Sequence, residues 1–106
     1  MIGKHVGDLY YVWTLSGKFY KVSDLTMIPY KEVYHRAGNR PSLIGFRDGR
    51  VFQKIFTQNG NYHCLNGASI RYYSSGGENC IYYIKGKKYT KNEYEDAILI
   101  KKLELQ

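Results

Sequence analysis

Apolar and aromatic residues fall into short runs cut by turn dipeptides. The runs read LYYVWTL at 9–15, FYKV at 19–22, VFQKIFT at 51–57, SIRYY at 69–73 and CIYYI at 80–84. Tyr, Phe, Val, Ile and Trp suit a pleated, half-buried surface. Between the runs, Asp48-Gly49, Asn59-Gly60 and Asn66-Gly67 are hairpin dipeptides, because Asn, Asp and Gly tolerate the positive φ that both turn positions require. Ser16-Gly17, Gly76-Gly77 and Lys85-Gly86 are weaker signals of the same kind. Turns at this spacing, with almost no helical periodicity, predict a mainly β chain: an antiparallel hairpin meander or ladder of about seven to nine short strands. Pro29 is expected to end a strand and Pro41 to begin one. Residues 23–35 are compatible with strand or with a single helical turn.

The pattern changes near the C-terminus. Thr90-Lys91-Asn92-Glu93 has the form of a capping box. Tyr94, Ala97, Ile98 and Lys101 follow at helical spacing, with acids early and Lys101 and Lys102 late, as the helix dipole prefers. A helix over 91–102 is predicted, packed on the sheet. The tail Leu103-Glu104-Leu105-Gln106 alternates and is also compatible with a short strand. The inward positions expected are Trp13, Phe19, Ile44, Phe46, Phe56, Ile70, Ile81, Tyr83, Tyr94 and Ile98. One domain spans 1–106, with an N-terminal hairpin region at 1–33, hairpin repeats at 34–89 and the helix at 90–106.

The repeats emerge when the chain is shifted by 27 residues: Asn39 falls on Asn66, Ser42 on Ser69, Gly49 on Gly76 and Tyr62 on Tyr89. A further one-residue slip brings Tyr34-His35 onto Tyr62-His63. Coincident turn glycines and aromatic pairs are what stacked hairpin units need, since each unit buries its face only against a neighbour.

Asn59-Gly60-Asn61-Tyr62-His63-Cys64-Leu65-Asn66-Gly67-Ala68, followed by Tyr82-Tyr83-Ile84-Lys85-Gly86-Lys87-Lys88-Tyr89, resembles the MORN-like repeat variant found in many phage and bacterial proteins. His35-Arg36 and Arg40-Pro41-Ser42 form an earlier, more divergent unit. The segment from Lys87 through Tyr94 is similar to the strand-into-helix close of such phage proteins. The resemblance covers about 34–96. It departs where Cys64 replaces the family's Arg and where the Pro before Ala68 is missing. It implies a ladder of β-hairpins and a small phage-type accessory protein, but no single activity, because the repeat is a scaffold.

Composition sharpens the choice of chemistry. The chain has 106 residues, 43% hydrophobic and 24% charged, with 16 Lys and Arg against 9 Asp and Glu, a net charge of +7. Twelve residues are Tyr. A chain this short hides only about two-thirds of its unfolded surface, so pairing through an edge strand is a further expectation. The longest aliphatic run, Ala97-Ile98-Leu99-Ile100, is far short of the ~20 residues that cross a bilayer. The start lacks the apolar block of a secretory signal. A cytoplasmic protein without a membrane partner is expected, with Cys64 and Cys80 as thiols.

His5, His35 and His63 are spread out and show no metal-ligand spacing, so structural roles in turns or on strand faces are expected. Neither a nucleophile motif nor a phosphate loop occurs. No metal, cofactor or catalytic residue is assigned; a small metal-independent hydrolase using His35 or His63 trails far behind. The remaining feature is basic and aromatic: Arg36, Arg40, Arg47, Arg50 and Lys54 in one stretch, Lys85, Lys87 and Lys88 in another, with Arg71, Tyr72 and Tyr82 between them. Such a surface stacks on bases and meets phosphates. It equally describes edge-protecting lysines and tyrosines that cover an open sheet. The leading expectation is a non-enzymatic binding module for nucleic acid or a nucleotide signal, counter-defence sequestration included. The alternative is an inhibitor or antitoxin-like protein that grips a host protein.

Overall fold

The computed structural model describes residues 7–104. It is mainly antiparallel β with one C-terminal helix. The elements run β1 (Asp8–Trp13), β2 (Phe19–Val22), a 3-10 turn (Leu25–Met27), β3 (Leu43–Arg47), β4 (Arg50–Ile55), β5 (Thr57–Gln58), β6 (Asn61–Tyr62), β7 (Ile70–Ser74), β8 (Gly77–Ile84), β9 (Lys87–Tyr89) and α1 (Lys91–Glu104). Seven strands form one sheet in the order β2-β1-β3-β4-β7-β8-β9, and β5 and β6 form a separate two-stranded ribbon. The body is long and thin, 57 × 36 × 19 Å. Among the described residues no helix is long and apolar enough to cross a membrane.

Local sterics account for the tight turns. Asp48, Asn59 and Lys85 have φ of 53°, 52° and 50°, and each is followed by a glycine near 80°. Both central residues are left-handed, so each dipeptide closes a two-residue hairpin whose twist matches the strands. Lys85-Gly86 is thus a full hairpin turn despite the poor fit of Lys to that region. Asn66-Gly67 is not one: it lies in the crossing between β6 and β7, where the Gly67 N–H donates to the Tyr94 hydroxyl at 2.9 Å. Ser74 pairs with Gly77, so the β7–β8 turn is Ser75-Gly76 rather than Gly76-Gly77.

Residues 23–35 hold the 3-10 turn, capped by the Asp24 carboxylate accepting from the Thr26 N–H, and then a single bridge from Tyr34 to Thr14. Pro29 therefore follows a turn and ends no strand. The capping box of α1 forms reciprocally: Thr90 N–H donates to Glu93 Oε1 at 2.9 Å, and Glu93 N–H to Thr90 Oγ1 at 3.1 Å. The helix continues through Leu103 and Glu104, where a short strand was the other expectation; Leu105, Gln106 and His5 lie outside the described residues.

Register assigns the two faces of the sheet. Val12 pairs with Leu43, Leu43 with Ile55, and Ile55 with Ile70, so these four share a back face. Val12, Ile28 and Leu43 form the buried core there, covered by Leu25 and Tyr34. The β5–β6 ribbon also lies behind, with Tyr62 4.9 Å from Tyr83. The front face carries the opposite parity. At its β8–β9 end it is covered by α1: Tyr82 lies 4.9 Å from Tyr94, and Ile84 and Tyr94 are buried.

This corrects the expected core. Phe56, Ile70 and Tyr94 are buried, but Trp13, Ile44 and Phe46 are only half-buried and Phe19 is 49% exposed, all on the uncovered part of the front face. Ile81, Tyr83 and Ile98 are also only half-buried. The residues that fill the interior, Val12, Ile28 and Leu43, sit where the 3-10 segment folds back on the sheet.

One hydrogen-bond pattern occurs at two places along the sheet. In one unit the Trp13 N–H donates to Ser42 O and the His35 N–H to Trp13 O; in the next, Phe56 N–H donates to Ser69 O and His63 N–H to Phe56 O. Each histidine then clasps a turn. His35 Nδ1 accepts from the Asn59 N–H at 3.0 Å, and His63 Nδ1 from the Lys85 N–H at 2.8 Å. The neighbouring Tyr34 and Tyr62 carbonyls accept from Gly60 and Gly86.

Candidate functional site

The uncovered front face spans β2, β1, β3 and β4. Alternation places Tyr11 and Trp13 of β1, Phe19 and Lys21 of β2, Ile44 and Phe46 of β3, and Val51 and Lys54 of β4 on it. A bulge lets both Val51 and Lys54 face front: the register slips between Gly45 and Phe46, and Phe52 turns back over Gly45, stacked under Arg47 at 4.2 Å. A Cβ at Gly45 would stand 2.9 Å from the Phe52 ring, so a larger residue there would displace that ring.

Four rings make a continuous tract. Tyr11 lies 4.8 Å from Phe46 and 5.5 Å from Phe19, and Trp13 lies 4.9 Å from Phe19. Cations border it. The Arg36 guanidinium sits 3.7 Å above the Trp13 ring, and Lys21 lies 5.7 Å from the Tyr11 centroid. Arg36 Nη1 donates to the Pro41 carbonyl at 3.2 Å, which pins the group in place. Partial burial, with Arg40 nearby, lowers the pKa of Arg36, though guanidinium stays charged at any ordinary pH. Lys54 pairs across strands with Arg71, which reaches over Phe56 at 4.6 Å. The only acid in β1–β4, Asp8, is on the back face, bound to Arg47 at 2.9 Å.

Of the residues singled out in the sequence, Arg36, Lys54 and Arg71 therefore come together on this face, with Arg40 close to Arg36. The others do not join them. Arg47 and Tyr72 are on the back face, and Arg50 pairs with Arg47 beside the β3–β4 turn. Tyr82 is in front but beneath α1, and Lys85, Lys87 and Lys88 belong to the distal β8–β9 hairpin. Tyr11, Trp13, Phe19, Phe46 and Lys21 were absent from the sequence-derived set. The period-2 alternation of LYYVWTL did place Tyr11 and Trp13 on one side, but both sides of that run are apolar enough to be core.

Elsewhere the chemistry is structural. The Nδ1 atoms of His35 and His63 are occupied as acceptors. Both cysteines are free; Cys64 is buried, and burial together with Glu78 pushes the exposed Cys80 thiol up, away from thiolate. Among the described residues no three His, Cys, Asp or Glu side chains group as a metal site. No protein-family model, curated protein or solved structure matches the chain.

Proposed function

We propose that the protein is a non-enzymatic binding module, built on a MORN-like hairpin-repeat scaffold, whose front face engages an anionic, base-bearing partner. One observation carries this reading: a tract of four partly exposed aromatic rings lies among Lys21, Arg36, Lys54 and Arg71, with no carboxylate on that face of β1–β4 and Glu78 of β8 the front-facing acid beyond Arg71. Cations neutralise phosphates and the rings offer π-faces to bases. The +7 net charge adds long-range attraction to a polyanion.

Trp13 is the sole tryptophan and lies in the tract, so its fluorescence reports binding directly. Titration with nucleic acid or nucleotide at low salt is expected to change Trp13 emission, with affinity falling steeply as salt rises. Binding that is independent of salt, or absent at low salt, overturns the reading.

A second reading, docking onto another protein in the manner of an inhibitor, has its own support. Leu99, Ile100 and Leu103 on the outer side of α1 are 57%, 57% and 60% exposed. Such a patch suits a protein surface better than a phosphate backbone. Under that reading a Leu99→Glu, Leu103→Glu variant loses its partner while nucleic-acid binding is unchanged.

A further inference from the structure

We infer that the front face takes single-stranded nucleic acid, rather than a duplex or a free nucleotide. This rests on the reading just given and specifies its partner. The argument begins with the layout of the tract across the sheet. Phe19 lies on β2, Tyr11 and Trp13 on β1 and Phe46 on β3, three neighbouring strands. With strands ~4.8 Å apart, the rings cover roughly 10 Å across the sheet. Lys54 on β4 pairs with Ile44, and Arg71 on β7 with Lys54, so Lys21, Tyr11, Ile44, Lys54 and Arg71 form one row across five strands, with Phe19 and Phe46 to either side of it. Rings and cations along such a row suit a chain of alternating bases and phosphates, which meets both in succession.

The shape of the surface excludes the smaller ligand. A free nucleotide is held tightly when a concave site encloses most of it. Four cavities among the described residues, of 530, 380, 330 and 390 Å³, are lined by other residues, and Tyr11, Trp13, Phe19 and Phe46 line none of these four. These rings stand on an open sheet face, where one base is covered on one side only. A polymer overcomes this by summing several such contacts along its length.

A duplex is excluded by what it displays. Its base faces are stacked on one another, so it offers phosphates and groove edges to a protein. The cations would be used and the rings would not. In a single strand the bases splay out and stack on aromatic rings or on guanidinium planes. Arg36, its guanidinium carbon 3.7 Å from the Trp13 ring centroid, offers such a plane. Phe19, the most exposed ring of the tract, lies on the edge strand where an incoming base has the freest approach.

The test uses the full chain and three probes: a short fluorescein-labelled oligothymidylate, a duplex of equal length, and ATP. Each is measured by anisotropy or Trp13 emission at low and at physiological salt. The single strand is expected to bind at least ~10-fold tighter than the duplex or ATP. Phe19→Ala is expected to weaken the single strand by about tenfold and leave the duplex unchanged, and Phe19→Trp to restore binding. Thermal melts of the variants check that they fold; Lys54→Gln, a milder change, should weaken both polymers through lost phosphate contact. Equal or tighter binding of the duplex or ATP, or a Phe19→Ala that folds and binds the single strand as before, overturns the inference and leaves the anionic reading standing. Failure of all three probes at low salt overturns both.

Discussion

His35-Arg36 and His63-Cys64 hold equivalent places in two successive hairpin units, and the residue after the histidine separates their fates. Both histidines accept a turn N–H, and both following carbonyls accept at 2.7 Å, Arg36 O from Gln58 Nε2 and Cys64 O from the Tyr94 hydroxyl. In the first unit the side chain is a cation that turns out over Trp13 and leaves the front face open. In the second it is a fully buried thiol, and α1 lies over that end of the sheet with Tyr94 as its anchor. One scaffold position thus selects a charged, accessible surface in one place and a covered, apolar one in the other. A guanidinium needs water or an anion, whereas a small apolar side chain admits a helix.

Making the second unit like the first is the most damaging test. Cys64→Arg forces an unpaired charge into a site of 0% exposure. It should cost more than ~4 kcal/mol and leave little folded protein, read as loss of a cooperative denaturant transition. Arg36→Cys, the reverse exchange, should fold and weaken single-strand binding. If both variants are equally stable, the comparison fails.

Tyr94→Phe is subtler. It strips the hydroxyl that donates to Cys64 O and accepts from the Gly67 N–H, leaving both backbone groups without that partner. A loss of about 1–3 kcal/mol is expected, measurable by urea unfolding.

Acid should loosen the second clasp. Burial, with Lys85 and Lys101 nearby, holds the His63 pKa below 6.5. The unfolded chain therefore binds the proton first as pH falls, so stability from neutral His63 is complete above about 6.5 and is lost as the medium becomes more acidic than that. The proton on Nδ1 would also remove the acceptor for the Lys85 N–H. His63→Asn, whose side-chain oxygen accepts at any pH, should flatten the dependence of melting temperature on pH between neutral and mildly acidic conditions. An unchanged slope would place the titration elsewhere.

The smallest effect concerns the distal lysines. Lys87→Gln with Lys88→Gln lies beyond α1 from the ring tract, so oligonucleotide affinity at physiological salt should change by less than about twofold, with charges that far apart largely screened. A loss as large as that of Lys54→Gln would move the binding surface to the β8–β9 hairpin.

Much of the architecture could be read from the chain because it rests on local sterics. Asp48-Gly49 and Asn59-Gly60 close their hairpins through left-handed backbone that few other dipeptides tolerate, and Thr90 and Glu93 cap α1 through bonds three residues apart. Lys85-Gly86 was the weak signal that forms a full turn: its glycine and the His63 acceptor compensate for a residue ill-suited to positive φ. The candidate site was legible only in part. Arg36, Lys54 and Arg71 stood out by charge, whereas Trp13, Phe19 and Phe46 looked like core, as aromatic side chains usually are.

The amino-acid order by itself determined the strands, the tight turns, the helix and the alternation that splits each strand between two sides. Tertiary structure alone decided which side is covered. In β1, Tyr10 and Val12 face one way and Tyr11 and Trp13 the other, with nearly equal appetite for burial. What broke the tie was distant in sequence: the 3-10 segment carrying Leu25 and Ile28 folds behind the sheet, and among the strands α1 packs chiefly on β8 and β9 in front. A short helix anchored by Tyr94 at one end of a 57 Å body cannot cover the other end, and the rings there remain open to solvent.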